Sequence, residues 1–425
     1  MPAAEITDEG VEALRARIGV PQPHPQPPHY LRPNEDAFRH VAESYGDDNP
    51  LWCDPAHAAA SRWGGPLAPP HLVGGDTLIG ENEVDRYEDD ATKALMKGDP
   101  LRGVHAFYSG SFREWWNPLR PGVRVTRRNA LVGVHDKEGE FAGRTVHEWT
   151  GEVFCQADGP PLAAQYRLMI RSQREKAEEK GKYDDTEIRP YTDDEIERIT
   201  EAVLAEPEQR RGAEPRWWED VAEGDEVGPL VKGPFRVTDI VCWHVGMGMG
   251  LYGVKALRLG HQQRQRVPRF FRPDDLNVPD VQQRVHWDPE WARRAGNPAI
   301  YDYGRMRETW LIHLCTDWMG DDAWLWKLDC QFRRFNYVGD THWMRGRVER
   351  TYVTDWGQPA VDLELWGENQ RGETTTPGHA SVLLPSHEHG EVTLPEPPGG
   401  QTAGAQDVLD ALVERFAAED AASGT

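Results

Sequence analysis

Cysteine is scarce in this 425-residue chain: Cys53, Cys155, Cys242, Cys315 and Cys330 are odd in number, scattered and free of CxxC spacing. A disulfide framework and a zinc site are therefore not expected, and reduced thiols in cytoplasm are the simple reading. Long apolar runs are missing too. No stretch approaches the ~18 residues that a spanning helix needs, and the opening MPAAEITDEG is acidic rather than signal-like. Positive charge is in short supply, with 48 Lys and Arg against 71 Asp and Glu and a net −23. That balance argues against a broad nucleic-acid-binding face. Two catalytic punctuation marks are absent as well. The glycines of GMGMG lack GxGxxG spacing after a strand, and no GxSxG elbow occurs.

What is present describes a folded protein. Seventeen tryptophans in a chain that is 38% hydrophobic and 28% charged exclude a disordered profile, and the length suits two or three domains. Residues 1–27 form an arm ending in PQPHPQPP, extended by its prolines. Residues 28–175 open with helical patterns and turn into strands such as VRVTRRNALVGV and RTVHEWTGEVFCQ. A charged helical connector is expected over 176–215, with Thr192-Asp-Asp-Glu195 as a helix start. A second helix-then-strand set occupies 216–388, interrupted by an insertion over 248–280. Residues 389–425 are a Pro/Gly linker and one amphipathic helix, read as a packing or dimer element.

The two large segments repeat each other. Leu51-Trp-Cys-Asp-Pro-Ala-His-Ala58 matches Val285-His-Trp-Asp-Pro-Glu-Trp-Ala292, and small-residue turns follow in both (WGGPLAPP, AGNPAIYDYG). Duplication of one helix-plus-antiparallel-sheet unit explains this better than two unrelated helix starts.

With FRHVAESYGDDNPLWCDP and SRWGGPLAPPHL in the first half, the sequence resembles the MaoC-like and fatty-acid-synthase-type acyl dehydratases. HWDPEWARRAGNPAIYDYGRM, FRRFNYVGDTHWMRGRV and ENQRGETTTPGHASVLLP extend the resemblance through the second half. It implies an α+β double hot-dog fold: a long helix wrapped by a curved antiparallel sheet, twice in one chain, with the sheets side by side. It also implies hydration of a trans-2-enoyl-CoA, (R)-specific, or dehydration of a 3-hydroxyacyl thioester. Coenzyme A would enter as part of the substrate, with no metal or redox cofactor required. A homodimer is one assembly open to such a chain.

That chemistry needs a base for the water, an acid near C2 and a donor for the enolate oxygen. The family signature Gly-Asp-x-Asn-Pro-x-His is partly kept in the first half, where Asp47 and Asn49 match but Trp52 stands at the histidine position. An indole cannot shuttle protons, so the first half is expected to shape or cover the acyl tunnel. His286 matches the catalytic histidine in the second half, Gly304 the oxyanion N–H, and Tyr303 lies beside it. The acid partner departs from the pattern. Asp280 precedes His286 by six positions, one more than the family spacing, and Gln283 replaces the asparagine. Taken alone, His286 reads as a capping or packed histidine and Asp280 as a turn residue. His244 and Asp239 are lesser candidates, His244 being read as a packing residue.

The insertion is basic, and Arg264 and Arg266 on it are candidate ligands for the phosphates of coenzyme A. The plainer reading is a solvated helix face. The altered Gly-Asp segment keeps open an auxiliary acyl-thioester-binding subunit without catalysis, and a hot-dog thioesterase is a third alternative. The tryptophans read as ordinary core ahead of tunnel wall.

Overall fold

The computed structural model describes residues 5–24, 27–73, 79–139, 143–172, 189–248 and 255–423. The first half runs α1 (Asp8–Arg15), α2 (Glu35–Glu43), α3 (Pro50–Cys53), α4 (Pro55–Ala60), β1 (Glu81–Asn82) and α5 (Asp90–Leu95). Four long strands follow: β2 (His105–Trp115), β3 (Val125–Gly139), β4 (Gly143–Gln156) and β5 (Pro161–Ser172). The connector contributes α6 (Asp193–Leu204) and α7 (Glu206–Gln209). Its start carries the expected capping box, in which Thr192 and Glu195 satisfy each other's backbone N–H groups. The second half holds β6 (Glu226–Lys232), α8 (Val237–Met247), α9 (Leu257–Arg266), β7 (Phe271–Pro273), β8 (Pro279–Val281), α10 (Pro289–Arg294) and α11 (Gly304–Met319). It ends in β9 (Trp324–Gln331), β10 (His342–Val353), β11 (Pro359–Asn369) and β12 (Thr374–Leu383), and the tail is α12 (Ala405–Ser423).

Ten strands make one sheet in the order β1-β3-β4-β5-β2-β9-β12-β11-β10-β6. Read outward from the β2–β9 junction, the two halves have the same topology: β2-β5-β4-β3 against β9-β12-β11-β10. The junction is antiparallel, with Gly110 opposite Gln331 and Glu114 opposite Lys327. The duplication seen in the sequence is thus a duplication of strand order, and the fold is a double hot dog. The edges differ: β6 is antiparallel to β10, whereas two-residue β1 runs parallel to β3.

The halves also differ in what their sheets wrap. Helix α11 is buried from Arg305 to Met319, so it lacks the one-sided apolar stripe of a surface helix. Its polar residues need partners, and they have them. Glu308 takes two bonds from the buried Arg113 guanidinium (2.8 and 2.6 Å), and Arg307 pairs with Asp302 at 3.0 Å. No helix of comparable length lies between α4 and β2 among the described residues, so the expected pair of long wrapped helices is present once. The first sheet is instead covered from outside its own unit. Alternate residues Ala130, Val132, Val153, Cys155, Ala164 and Tyr166 pack under Val408, Leu409 and Leu412 of the tail helix. Leu131, Val134 and Val146, on the opposite face, meet Val11 and Leu14 of α1. The tail helix is therefore a packing element of the first half.

No helix is long and apolar enough to cross a membrane among the described residues, and all five cysteines are free thiols.

Candidate active site

The repeated motif folds the same way twice. Asp54 caps α4 by accepting from the Ala56 and His57 N–H groups, and Asp288 caps α10 by accepting from those of Glu290 and Trp291. Both caps are followed by proline at the first helical turn, where its missing N–H costs nothing. Trp52 and His286 stand at equivalent places just before these caps. The helices preceding the two motifs, α2 and α8, pack on each other. At Gly246 they lie so close that a Cβ would sit 2.5 Å from the His40 carbonyl oxygen.

In the second half His286 ends a 3-10 turn (Gln282–His286) and is buried. Its Nδ1 lies 2.9 Å from the Tyr301 carbonyl oxygen. A carbonyl can only accept, so Nδ1 carries the proton, and the lone pair of the neutral ring is on Nε2. Burial lowers the imidazole to about 4, so the ring is neutral at physiological pH. Its ring is 4.2 Å from that of Tyr303, and the Tyr303 hydroxyl is 2.8 Å from His244 Nε2. Gly304 follows as the first residue of α11, where N–H groups have no intrahelical acceptor. A Cβ on Gly304 would fall 2.8 Å from the Phe332 ring, so glycine is required by packing as well. His286, Tyr303 and Gly304 are thus brought together.

Asp280 is not brought to His286. It lies in the β7–β8 ribbon opposite Arg272, and its carboxylate accepts from the Val281 N–H at 2.7 Å. The six-residue spacing fails because Val281 ends a strand and a tight turn carries the chain on to His286. The orienting partner of His286 is main-chain carbonyl instead. A different carboxylate, Asp302, is buried between Tyr301 and Tyr303 and bonds to Asn336 Nδ2 (2.8 Å) and Arg307. Burial raises it to about 6, despite the Arg307 charge. Sequence reasoning missed Asp302. Its position two residues before the helix, in YDYG, was the available signal.

The first half uses its motif differently. Asp47 is 1% exposed and receives bonds from Trp52 Nε1 (3.0 Å), the Tyr45 hydroxyl (3.1 Å) and the Asn49 N–H (2.9 Å). Asn49 caps α3 through the Leu51 N–H. Across the interface His313 of α11 places Nε2 3.4 Å from Asp47, 3.2 Å from Glu206 and 3.3 Å from Asp317. Lys232 reaches His313 Nδ1 at 2.8 Å, and Arg210 reaches Asp317 at 2.8 Å. Asp47, His313 and Asp317 have spacing that could hold a metal ion. Lys232 and Arg210 already set positive charge against the carboxylates there. Burial works to lower His313, but Asp47 and Asp317 outweigh it and raise the ring to about 9. The connector, expected to stand apart from the core, supplies Glu206 and Arg210 to this cluster. Beside it, Trp52 lines an apolar cleft of about 30 Å³ with Leu51, Trp63, Leu67 and Trp115, space for a few waters rather than an acyl chain.

The insertion's helix α9 buries none of its residues. Arg264 bonds the Pro279 carbonyl at 3.1 Å, and Arg266 is exposed.

Comparison with known proteins agrees with this architecture. Residues 33–162 match the family model of the FAS1-like dehydratase domain region. A UPF0336 protein from Streptomyces avermitilis is 28% identical over 140 residues, covering 33% of this chain and 85% of that protein. Among solved structures, a MaoC-like dehydratase aligns with TM-score 0.56 at 16% identity, over 87% of this chain and 99% of the other. A MaoC domain protein dehydratase from Chloroflexus aurantiacus J-10-fl aligns with TM-score 0.51 at 10% identity, covering 87% and 96%. The fold and the site define a double hot-dog protein. Within that class its fold is shared with MaoC-like dehydratases, and residues 33–162 resemble the FAS1-like dehydratase region.

Proposed function

We propose that the protein is a hydro-lyase of acyl thioesters, hydrating a 2-enoyl-CoA with (R) selectivity or dehydrating the 3-hydroxyacyl-CoA. The observation that carries this reading is the tautomer of His286. Its Nδ1–H is held by the Tyr301 carbonyl, and a basic Nε2 stands in the ring cluster beside the α11 N-terminus. In hydration, Nε2 takes a proton from water as the water oxygen bonds C3. The C2=C3 electron pair moves toward the thioester oxygen, where the Gly304 N–H and the helix dipole stabilise the enolate. The imidazolium then returns the proton to C2, which restores the base and completes the addition of one water.

In this reading coenzyme A is part of the substrate, its phosphates meeting the insertion near Arg264 and Arg266, and no other cofactor takes part. The compartment is the cytoplasm. Incubation with a panel of enoyl-CoA esters tests it: the absorbance of the conjugated enoyl group should fall with the wild type and persist with His286→Ala. A second reading, an acyl-thioester-binding subunit without turnover, is favoured by one observation, that the Asp280 carboxylate is engaged by the Val281 N–H. It would show saturable binding with no loss of enoyl absorbance. Release of free thiol would instead indicate a thioesterase.

A further inference from the structure

Tyrosine is an odd residue to find at the N-cap of the central helix. Caps are chosen from Ser, Thr, Asp and Asn because their short side chains accept the first N–H groups, and Tyr303 makes no such bond. Its ring is spent elsewhere. It lies 4.2 Å from the His286 ring, and its hydroxyl is 2.8 Å from His244 Nε2. The Trp243 ring, 5.4 Å from that of Tyr303, encloses the group further. His244, His286 and Tyr303 come from α8, the 3-10 turn and the N-cap of α11, and each is less than a tenth exposed.

We propose that Tyr303 is a second catalytic residue, its phenolic oxygen accepting the other O–H of the water or 3-hydroxyl that His286 engages, and that His244 is its positioning residue. This rests on the reading of the site as the place where C2 and C3 of an acyl thioester react. A water held by two acceptors is oriented: one hydrogen points to His286 Nε2 and the other to Tyr303 Oη, leaving an oxygen lone pair for C3. The arrangement requires Tyr303 to spend its own hydrogen on His244. Burial lowers the His244 pKa, so its ring is neutral at neutral pH. With the ring proton on Nδ1, Nε2 accepts from the tyrosine O–H. Tyr303 does not change protonation state in the reaction. The transferred proton cycles through His286 alone.

The test uses the full chain with crotonyl-CoA as substrate, and 3-hydroxybutyryl-CoA and butyryl-CoA as binding probes. Tyr303→Phe should lower kcat about 100-fold while changing KM little. It should weaken 3-hydroxybutyryl-CoA binding and leave butyryl-CoA binding unchanged, a hydroxyl-specific loss that a packing role would not produce. His244→Leu should reproduce that loss. His244→Gln, whose amide oxygen can still accept from the tyrosine, should recover a substantial part of it. Imidazole 15N shifts of the wild type should report an unprotonated His244 Nε2 that moves in Tyr303→Phe. Wild-type protein without turnover, but with the hydroxyl-specific binding loss, would retire the hydro-lyase reading and overturn the tyrosine's catalytic role, leaving it a hydroxyl-binding residue. Equal loss of both probes in a folded Tyr303→Phe, or a protonated Nε2 on His244, would overturn the proposal.

Discussion

The two half-sites of this protein begin from one motif and end as different machines. Each places a residue just ahead of an Asp-Pro helix cap, Trp52 in the first half and His286 in the second. In the first half the aspartate of the signature survives, but its lone pairs are taken by Trp52, Tyr45 and the Asn49 backbone. A carboxylate so occupied holds the halves together through His313 and is not placed to activate water. In the second half the aspartate partner is gone, yet the histidine keeps the tautomer a base needs because a backbone carbonyl orients it. Under the proposed function, motif survival and chemical competence are separable: the more complete signature sits on the half without the base.

The largest expected effect separates the halves directly. His286→Ala should cost turnover about 1,000-fold or more with an unchanged melting temperature, whereas Trp52→Ala should keep measurable turnover. Comparable catalytic losses at both positions, in folded protein, would erase the division of labour.

Asp47→Ala should act on stability instead. Removing one member of a buried ionic cluster strands the others, at about 3–5 kcal/mol, which urea denaturation would read as a lower midpoint. A midpoint within error of wild type would mean that the cluster is not holding the halves together.

Acid and alkali should likewise sort the two centres. His313 is raised to about 9, above its ordinary 6.5, by Asp47 and Asp317 acting against burial. Its stabilisation is fully present below about 6.5 and is lost as pH rises through about 9. Melting temperature measured from pH 6 to 10 should fall along this limb, and less steeply in His313→Gln. His286 is depressed to about 4 by burial, so turnover should hold down to about pH 5 and fall only near 4. A turnover profile that breaks near 6.5 would place His286 in contact with solvent.

Smaller effects are expected from the insertion. Arg264→Glu with Arg266→Glu should weaken CoA-ester affinity by about threefold to tenfold and reduce its dependence on salt. Asp280→Asn should change turnover by less than about threefold, because its carboxylate serves the Val281 N–H. A strong loss would show that the ribbon swings toward His286 in the bound state.

The sequence alone carried whatever is local. The repeat, the Asp-Pro caps, the Thr192 capping box and the strand-rich halves are encoded within a few residues of one another, where backbone hydrogen bonding sets the pattern. The proximity of His286, Tyr303 and Gly304 was legible for the same reason, since they belong to one continuous motif. Tertiary structure decided what depends on distant neighbours. His244 reads as packing until the fold brings Tyr303, 59 residues on, to its ring nitrogen. Asp47 reads as part of a tunnel-shaping half until His313 and Glu206 surround it. Asp280 reads as a partner until strand β8 and the turn after it separate it from His286. A spacing rule counts residues along the chain, whereas a side chain's role follows from the charges and dipoles that folding places within a few ångströms of it.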